Sequence, residues 1–335
     1  EGLQVSAGAE DGAIMALGVG QHAAHPDDDV AYQLVAGGLH RLGDIAVHGV
    51  TGIRANEGDE PDAVACYVSD DVGQRRLPSA AMSDIVTYEA RDRVALITLN
   101  RPDARNAVNG DVAQAMEAAI DQMEGDDDIW VGIIQANTEG QDRPVFCAGA
   151  DLKAINSGAG GSLMTERGGF AGFAYRERKK PVIVAVDGLA TAGGCEIVLA
   201  ADLVVATTRS SFGLAEAKRN LVAGAGGLFR LPRAIGRNAA MELILTGEPL
   251  SAERAHELGL VNRLVEPGQA TEEALALAGQ ITAAAPLAVW ESRKVVLAAA
   301  TESDETLKQM TDAAMGVVMR SEDIGEGLTA FIEKR

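Results

Sequence analysis

The chain of 335 residues is short of the side chains from which many kinds of site are built. It holds three cysteines, five histidines and two tryptophans, and aromatic residues make up 4%. Cys66, Cys147 and Cys195 are odd in number, widely spaced and without a C-x-x-C pair. That argues against a disulfide framework or a zinc site and fits a reducing cytoplasm. His256 is the one histidine after position 48, so a Ser-His-Asp mechanism has little to draw on. His22 and His25 stand near Asp27, Asp28 and Asp29. With no second ligand cluster at a recognised spacing, this reads as a solvated acidic loop, and no metal is expected.

Other absences narrow the field. No apolar run approaches the length of a membrane span. The opening stretch "EGLQVSAGAEDGAIMALGVGQHAAHPDDD" lacks a basic region and does not read as a signal peptide. The net charge of −20 speaks against a nucleic-acid surface. It also requires that any anionic ligand be held by local cations or helix N-termini. "GVGQHA" and "GAGGLF" both lack the third glycine of a dinucleotide fingerprint, and there is no Walker A lysine or G-x-S-x-G elbow.

What is present is a globular composition, 47% apolar, in a chain long enough for two or three structural units. Residues 1–81 stand apart. They contain thirteen acidic residues, four arginines, no lysine and neither Phe nor Trp. Short strand-like runs, "DIAVHGVTGI" and "AVACYV", occur among scattered glycines. The segment reads as an extension of uncertain fold, and Met82 opens "MSDIVTYEARDRVALITLN" in the manner of a protein start.

From residue 83 the pattern sharpens. "IVTYEA" and "VALITLN" alternate as the two strands of a hairpin. "GDVAQAMEAAIDQMEG" has helical spacing, with Val112, Met116, Ala119, Ile120 and Met123 on one side. "WVGIIQAN", "PVIVAVDG", "LVVAT" and "LVNRLV" read as strands, the second started by a proline of the kind tolerated at a sheet edge. "DLKAIN" reads as a short helix. "GGCEIVLAAD" reads as a helix entered through a Gly-Gly turn. After Pro267 four helical segments follow. The expected class is α/β with a helical tail, divided as 1–81, 82–266 and 267–335.

Three stretches carry the chemistry: "FCAGADLK" (146–153), "TAGGCE" (191–196) and "FGLAEAKRNLVAGAGG" (212–227). Gly149 and Ala150 leave backbone N–H groups open before a short helix. Gly193 and Gly194 do so at the head of another, where orphan donors and partial positive charge collect. Two such donors converging on one point would make an oxyanion hole. Glu196 stands at the head of an apolar run, where an unpaired carboxylate is costly. Glu216 follows the apolar Phe212, Leu214 and Ala215.

Taken together, and over about three quarters of the chain, these stretches resemble the crotonase superfamily, specifically the enoyl-CoA hydratase/isomerase family. "NRPDARNAVN", "KKPVIVAVDGLATAGGCEIVLAADLVVAT", "LTGEPLSAERAHELGLVNRLV" and "AFIEKR" extend the likeness in the same order. The resemblance implies a spiral of repeated ββα units with a helical C-terminal trimerisation region. It implies oxyanion-hole amides at Ala150 and Gly193, and catalytic carboxylates at Glu196 and Glu216. It implies coenzyme A contacts from Lys153, Ala148, Arg105 and Lys334, with coenzyme A arriving as part of the substrate and no tightly bound cofactor. The implied activity is hydration of a trans-2-enoyl-CoA by a homotrimer or a hexamer of paired trimers. The alternatives are another crotonase-type reaction, such as double-bond isomerisation or hydration of an unusual polar acyl group, and a non-catalytic acyl-CoA-binding subunit. Both glutamates favour hydration. Ala215 stands where the family often has proline, and Ala192-Gly193-Gly194 where it often has three glycines. Arg219 and Asn220 are also unusual, and these departures bear on the acyl group rather than the reaction.

Overall fold

The computed structural model describes residues 84–321 without interruption, residues 324, 325 and 333, and four upstream strands. The chain divides into two compact units, Glu1–Ser79 and Ala80–Arg335. In the first, Leu3–Val5, Met15–Gly18, Ala31–Val35 and Ala63–Tyr67 pair in that order as an antiparallel sheet. "AVACYV" therefore supplies a strand as expected, whereas "DIAVHGVTGI" lies outside the described residues.

The second unit opens with the expected hairpin, Val86–Arg91 antiparallel to Val94–Leu99. Its turn passes through Asp92 at φ 51°, a left-handed position that aspartate tolerates. The chain then winds, with later turns each adding one strand to each of two sheets before a helix. Val131–Ala136 is followed by Val145–Cys147 and the short helix Leu152–Ala154. Val182–Val186 is followed by Leu189–Thr191 and the helix Gly193–Ala200. Leu203–Thr207 is followed by Ser211–Gly213, the 3-10 turn Glu216–Arg219 and the helix Gly227–Ile235. The larger sheet runs in the order 263–265, 203–207, 182–186, 131–136, 94–99, 86–91, parallel except for the opening hairpin. The smaller runs 250–251, 211–213, 189–191, 145–147, antiparallel only at 250–251.

The inner strands are covered on both faces, which is why they read as continuous apolar runs. Ile97, Leu99, Ile134, Val184 and Val186 face Met116, Ile120 and Met123 of the helix Gly110–Gly125 within one core. Leu96, Ile133, Ile183, Ala185 and Val205 face the opposite way, against Ala270, Ala274 and Ala278 of the helix Ala270–Thr282. Pro181 precedes not an edge strand but an inner one. It is tolerated because it stands just outside the ladder and contributes only its carbonyl, to the Gly132 N–H at 2.9 Å.

The helix Gly110–Gly125 is secured at both ends. The Asn109 side chain caps its start by accepting from the Val112 N–H. At its finish the buried Lys180 ammonium donates to Met123 O at 2.7 Å and Asp126 O at 2.6 Å. The helices Pro286–Ala298 and Asp304–Met319 also fall where expected, but neither buries a residue. They leave Val296, Leu297, Met315 and Met319 exposed. The "DIGEGLTAFIEKR" segment lies mostly outside the described residues. Among those that are described, no single helix is long and apolar enough to cross a membrane.

Lys180→Met should remove the ammonium from the buried Met123 carbonyl and leave Asp126 O with the Ile129 N–H alone. The expected loss is about 1–3 kcal/mol in a urea melt. A variant as stable as the parent would show that the ammonium is not needed there.

Candidate active site

The turn before the helix Gly193–Ala200 is not made by the glycines. Gly193 and Gly194 are its first two residues, and the turn falls on Ala192, at φ 52° and ψ −127°. An alanine there is strained. The two glycines serve close approach. A Cβ on Gly193 would stand 2.4 Å from the Phe170 ring, and one on Gly194 only 2.1 Å from Cys147 O.

That approach brings two segments together. Gly149, at φ +85°, lies so near the helix start that a Cβ on it would be 2.9 Å from the Gly193 nitrogen. The next residue, Ala150, is pinned by a bridge to Val108: Val108 N donates to Gly149 O, and Asp151 N donates to Val108 O, each at 2.8 Å. Neither bond uses the Ala150 N–H. Gly193, as the first residue of its helix, has an N–H with no intrahelical acceptor. Two expected amide donors therefore belong to adjoining segments beside one helix N-terminus.

Glu196 lies in the first turn of that helix and is 3% exposed. Its Oε1 accepts two backbone bonds, from Ala225 N at 2.7 Å and Gly227 N at 2.9 Å. Burial raises its pKa above the ordinary carboxylate value, while these two amides and Arg230 pull the other way. Glu216 opens the 3-10 turn Glu216–Arg219 behind the buried Phe212 and Leu214. Burial raises its pKa too, and the charge of Glu196 adds to the rise. Its Oε2 is buried and has no hydrogen-bond partner. The two carboxyls thus share one region but differ. One is held by two amides of a distant segment, and the other has its own backbone N–H and an Oε2 without a partner.

The cysteines next to these groups are buried and free. Burial pushes the Cys147 thiol up to about 12, and it pushes Cys195 up as well, helped by Glu196 and Glu216. Both thiols stay protonated and inert at neutral pH.

The remaining site residues are placed as follows. Lys153 is exposed on the helix Leu152–Ala154, which Asp151 caps by accepting from the Lys153 N–H. Arg105 is exposed at φ 52°, and its carbonyl accepts from Ala148 N at 3.1 Å. Arg105 lines a surface depression of about 530 Å³ with Pro102, Asp103 and Arg143. Lys334 lies outside the described residues, as do His22 and His25. His256 is structural: its Nδ1 lies 2.9 Å from Val261 O. Arg219 and Asn220 are exposed, and the Arg219 charge reaches Glu216.

Residues 223–227 carry what the sequence reasoning missed. "GAGGLF" fails as a nucleotide fingerprint, yet its backbone holds Glu196. Gly227 is close to Glu196 because a Cβ on it would stand 3.1 Å from the Glu196 Oε1. A run of small residues ahead of a helix was the available signal.

The architecture is the crotonase fold. An enoyl-CoA hydratase from Mycobacterium tuberculosis H37Rv superposes with a TM-score of 0.71 at 47% identity, over 76% of this chain and 97% of that one. The short-chain-enoyl-CoA hydratase of Clostridium acetobutylicum is 34% identical over 254 residues, 75% of this chain and 95% of the relative. The (E)-benzylidenesuccinyl-CoA hydratase of Thauera aromatica is 36% identical over 254 residues, with 96% of its length covered. Residues 89–335 match the family model for enoyl-CoA hydratase/isomerase, and the chain belongs to that family.

The raised carboxyls have a consequence for stability. A carboxyl whose folded pKa exceeds its unfolded value costs stability at neutral pH, and the cost fades as pH falls through the folded pKa. Glu216→Gln, which removes the ionisable group, should therefore raise the melting temperature at pH 7–8 and bring no gain near pH 4. An equal gain at both pH values would contradict a raised pKa.

Proposed function

We infer that this chain is an enoyl-CoA hydratase, a lyase that adds water across the double bond of a 2-enoyl-CoA thioester. The observation that carries the reading is an unequal pair of carboxyls, a buried Glu196 and a half-buried Glu216, beside two amide donors. Glu196 is anchored by two N–H groups, which favour its ionised form. Glu216 has an oxygen without a partner and feels the Glu196 charge, which favours its protonated form. One base and one acid are thereby set apart by environment.

The chemistry follows in order. The Ala150 and Gly193 N–H groups donate to the thioester oxygen and stabilise the enolate that forms, with the helix N-terminus adding partial positive charge. Both bonds to Glu196 fall on Oε1, so Oε2 takes a proton from water as the oxygen attacks Cβ. Glu216 delivers a proton to Cα. The two groups titrate as a coupled pair. Lys153, Arg105, Ala148 and Lys334 are the proposed contacts to coenzyme A. The lysines suit its phosphates on a chain of net charge −20.

Loss of the conjugated thioester absorbance of crotonyl-CoA tests the reaction. Glu196→Gln and Glu216→Gln should each lower kcat by about 10²–10⁴-fold with KM little changed. Near-normal turnover in either variant would remove that residue from the mechanism.

The exposed Val296, Leu297, Met315 and Met319, on helices without a fully buried residue in one chain, support assembly through the C-terminal region. We propose a homotrimer, or a hexamer made of two. Light scattering should give three or six times the mass of one chain. A monomer at micromolar concentration would refute it.

A further inference from the structure

The short loop that holds Glu196 is itself gripped by two side chains for which the reaction has no use. Tyr175 Oη donates to Gly224 O at 2.9 Å. Arg230 Nη1 donates to Ala225 O at 3.1 Å. The arginine lies 5.3 Å from the centre of the Tyr175 ring and 5.2 Å from that of Phe229, so the two grips stack into one brace. Gly226, at φ +105°, makes room for it, because a Cβ there would fall 2.2 Å from Arg230 Nη1.

The peptide geometry gives these grips a direction. Gly224 O and the Ala225 N–H belong to one planar unit, and in a trans peptide they point opposite ways. Tyr175 therefore holds one end of a peptide dipole while Glu196 Oε1 occupies the other. Arg230 holds the carbonyl of the next unit, and the unit after that presents the Gly227 N–H to the same oxygen. Bonds in such a chain polarise one another.

We propose that Tyr175 is a positioning residue for hydration: it fixes and polarises the Gly224–Ala225 peptide so that its N–H holds the Glu196 carboxylate in place, with Arg230 bracing both the ring and the following peptide. The proposal rests on Glu196 acting as the base. The charged and titratable groups facing that carboxylate are Glu216, the Cys195 thiol and Arg230. Arg219 faces Glu216 in turn, and Arg233 and Tyr175 face Arg230.

Tyr175→Phe removes the hydroxyl and keeps the ring over Arg230. With crotonyl-CoA it should lower kcat about three- to thirty-fold and leave KM within about two-fold. The acid limb of the kcat profile should move to higher pH, because a bond that favours the ionised Glu196 is weakened. Arg230→Gln should move that limb further the same way, and Arg230→Lys, which keeps the charge, should restore most of it. A Tyr175→Phe variant with parental kcat and an unmoved acid limb would overturn the proposal. So would an acid limb moved to lower pH. Should Arg230→Gln not fold, Tyr175→Phe still decides, since it deletes one hydroxyl from a part-exposed ring. Unimpaired turnover in Glu196→Gln would fail the underlying mechanism instead, and so separates the two outcomes.

Discussion

The close approach of Gly149 to the start of the helix Gly193–Ala200 is the contact on which the rest of the site depends. Space for a Cβ is missing on both sides of it, at Gly149 toward the Gly193 nitrogen and at Gly194 toward Cys147 O. The smaller sheet brings these segments together, since Val145–Cys147 and Leu189–Thr191 are parallel neighbours within it, with Cys147 opposite Ala190. The residue that turns the chain into the helix, Ala192, sits in a conformation costly for any side chain. The tight packing around it holds it there. Strain is thus concentrated on the peptide whose N–H faces the proposed thioester oxygen.

The electrostatics are built around the same point. A chain of net charge −20 places two carboxyls in one buried region, which burial and mutual repulsion both oppose. The protein resolves this unevenly. Backbone donors from residues 225 and 227 stabilise Glu196, whereas Glu216 receives no such support at Oε2. Equal solvation of the two would have left neither suited to give up a proton while the other takes one. On the proposed mechanism, that cost in stability belongs to the function.

Much of this fold was legible in the chain. The hairpin at 86–99, the helix at 110–125 and the apolar runs at 131–136, 182–186 and 203–207 follow from periodicity, because strands buried on both faces must be apolar throughout. The smaller sheet was not legible. Its strands are two or three residues long, too short to show any period. The helix Gly227–Ile235 was hidden by the glycines before it and by Pro232 within it.

Sequence by itself determined the type and order of the main elements, and it marked Glu196 as a charge in an apolar setting. Through resemblance it also linked Glu196 to Glu216, Ala150 and Gly193. Only the tertiary structure decided what stabilises Glu196, because its partners stand twenty-nine and thirty-one positions away and offer backbone, not side chains. Backbone donors leave no letter in a sequence. The same reason hid the true role of the Gly193-Gly194 pair. A glycine needed for φ and a glycine needed for space are written alike, and only the packed neighbours, Phe170 and Cys147, tell them apart.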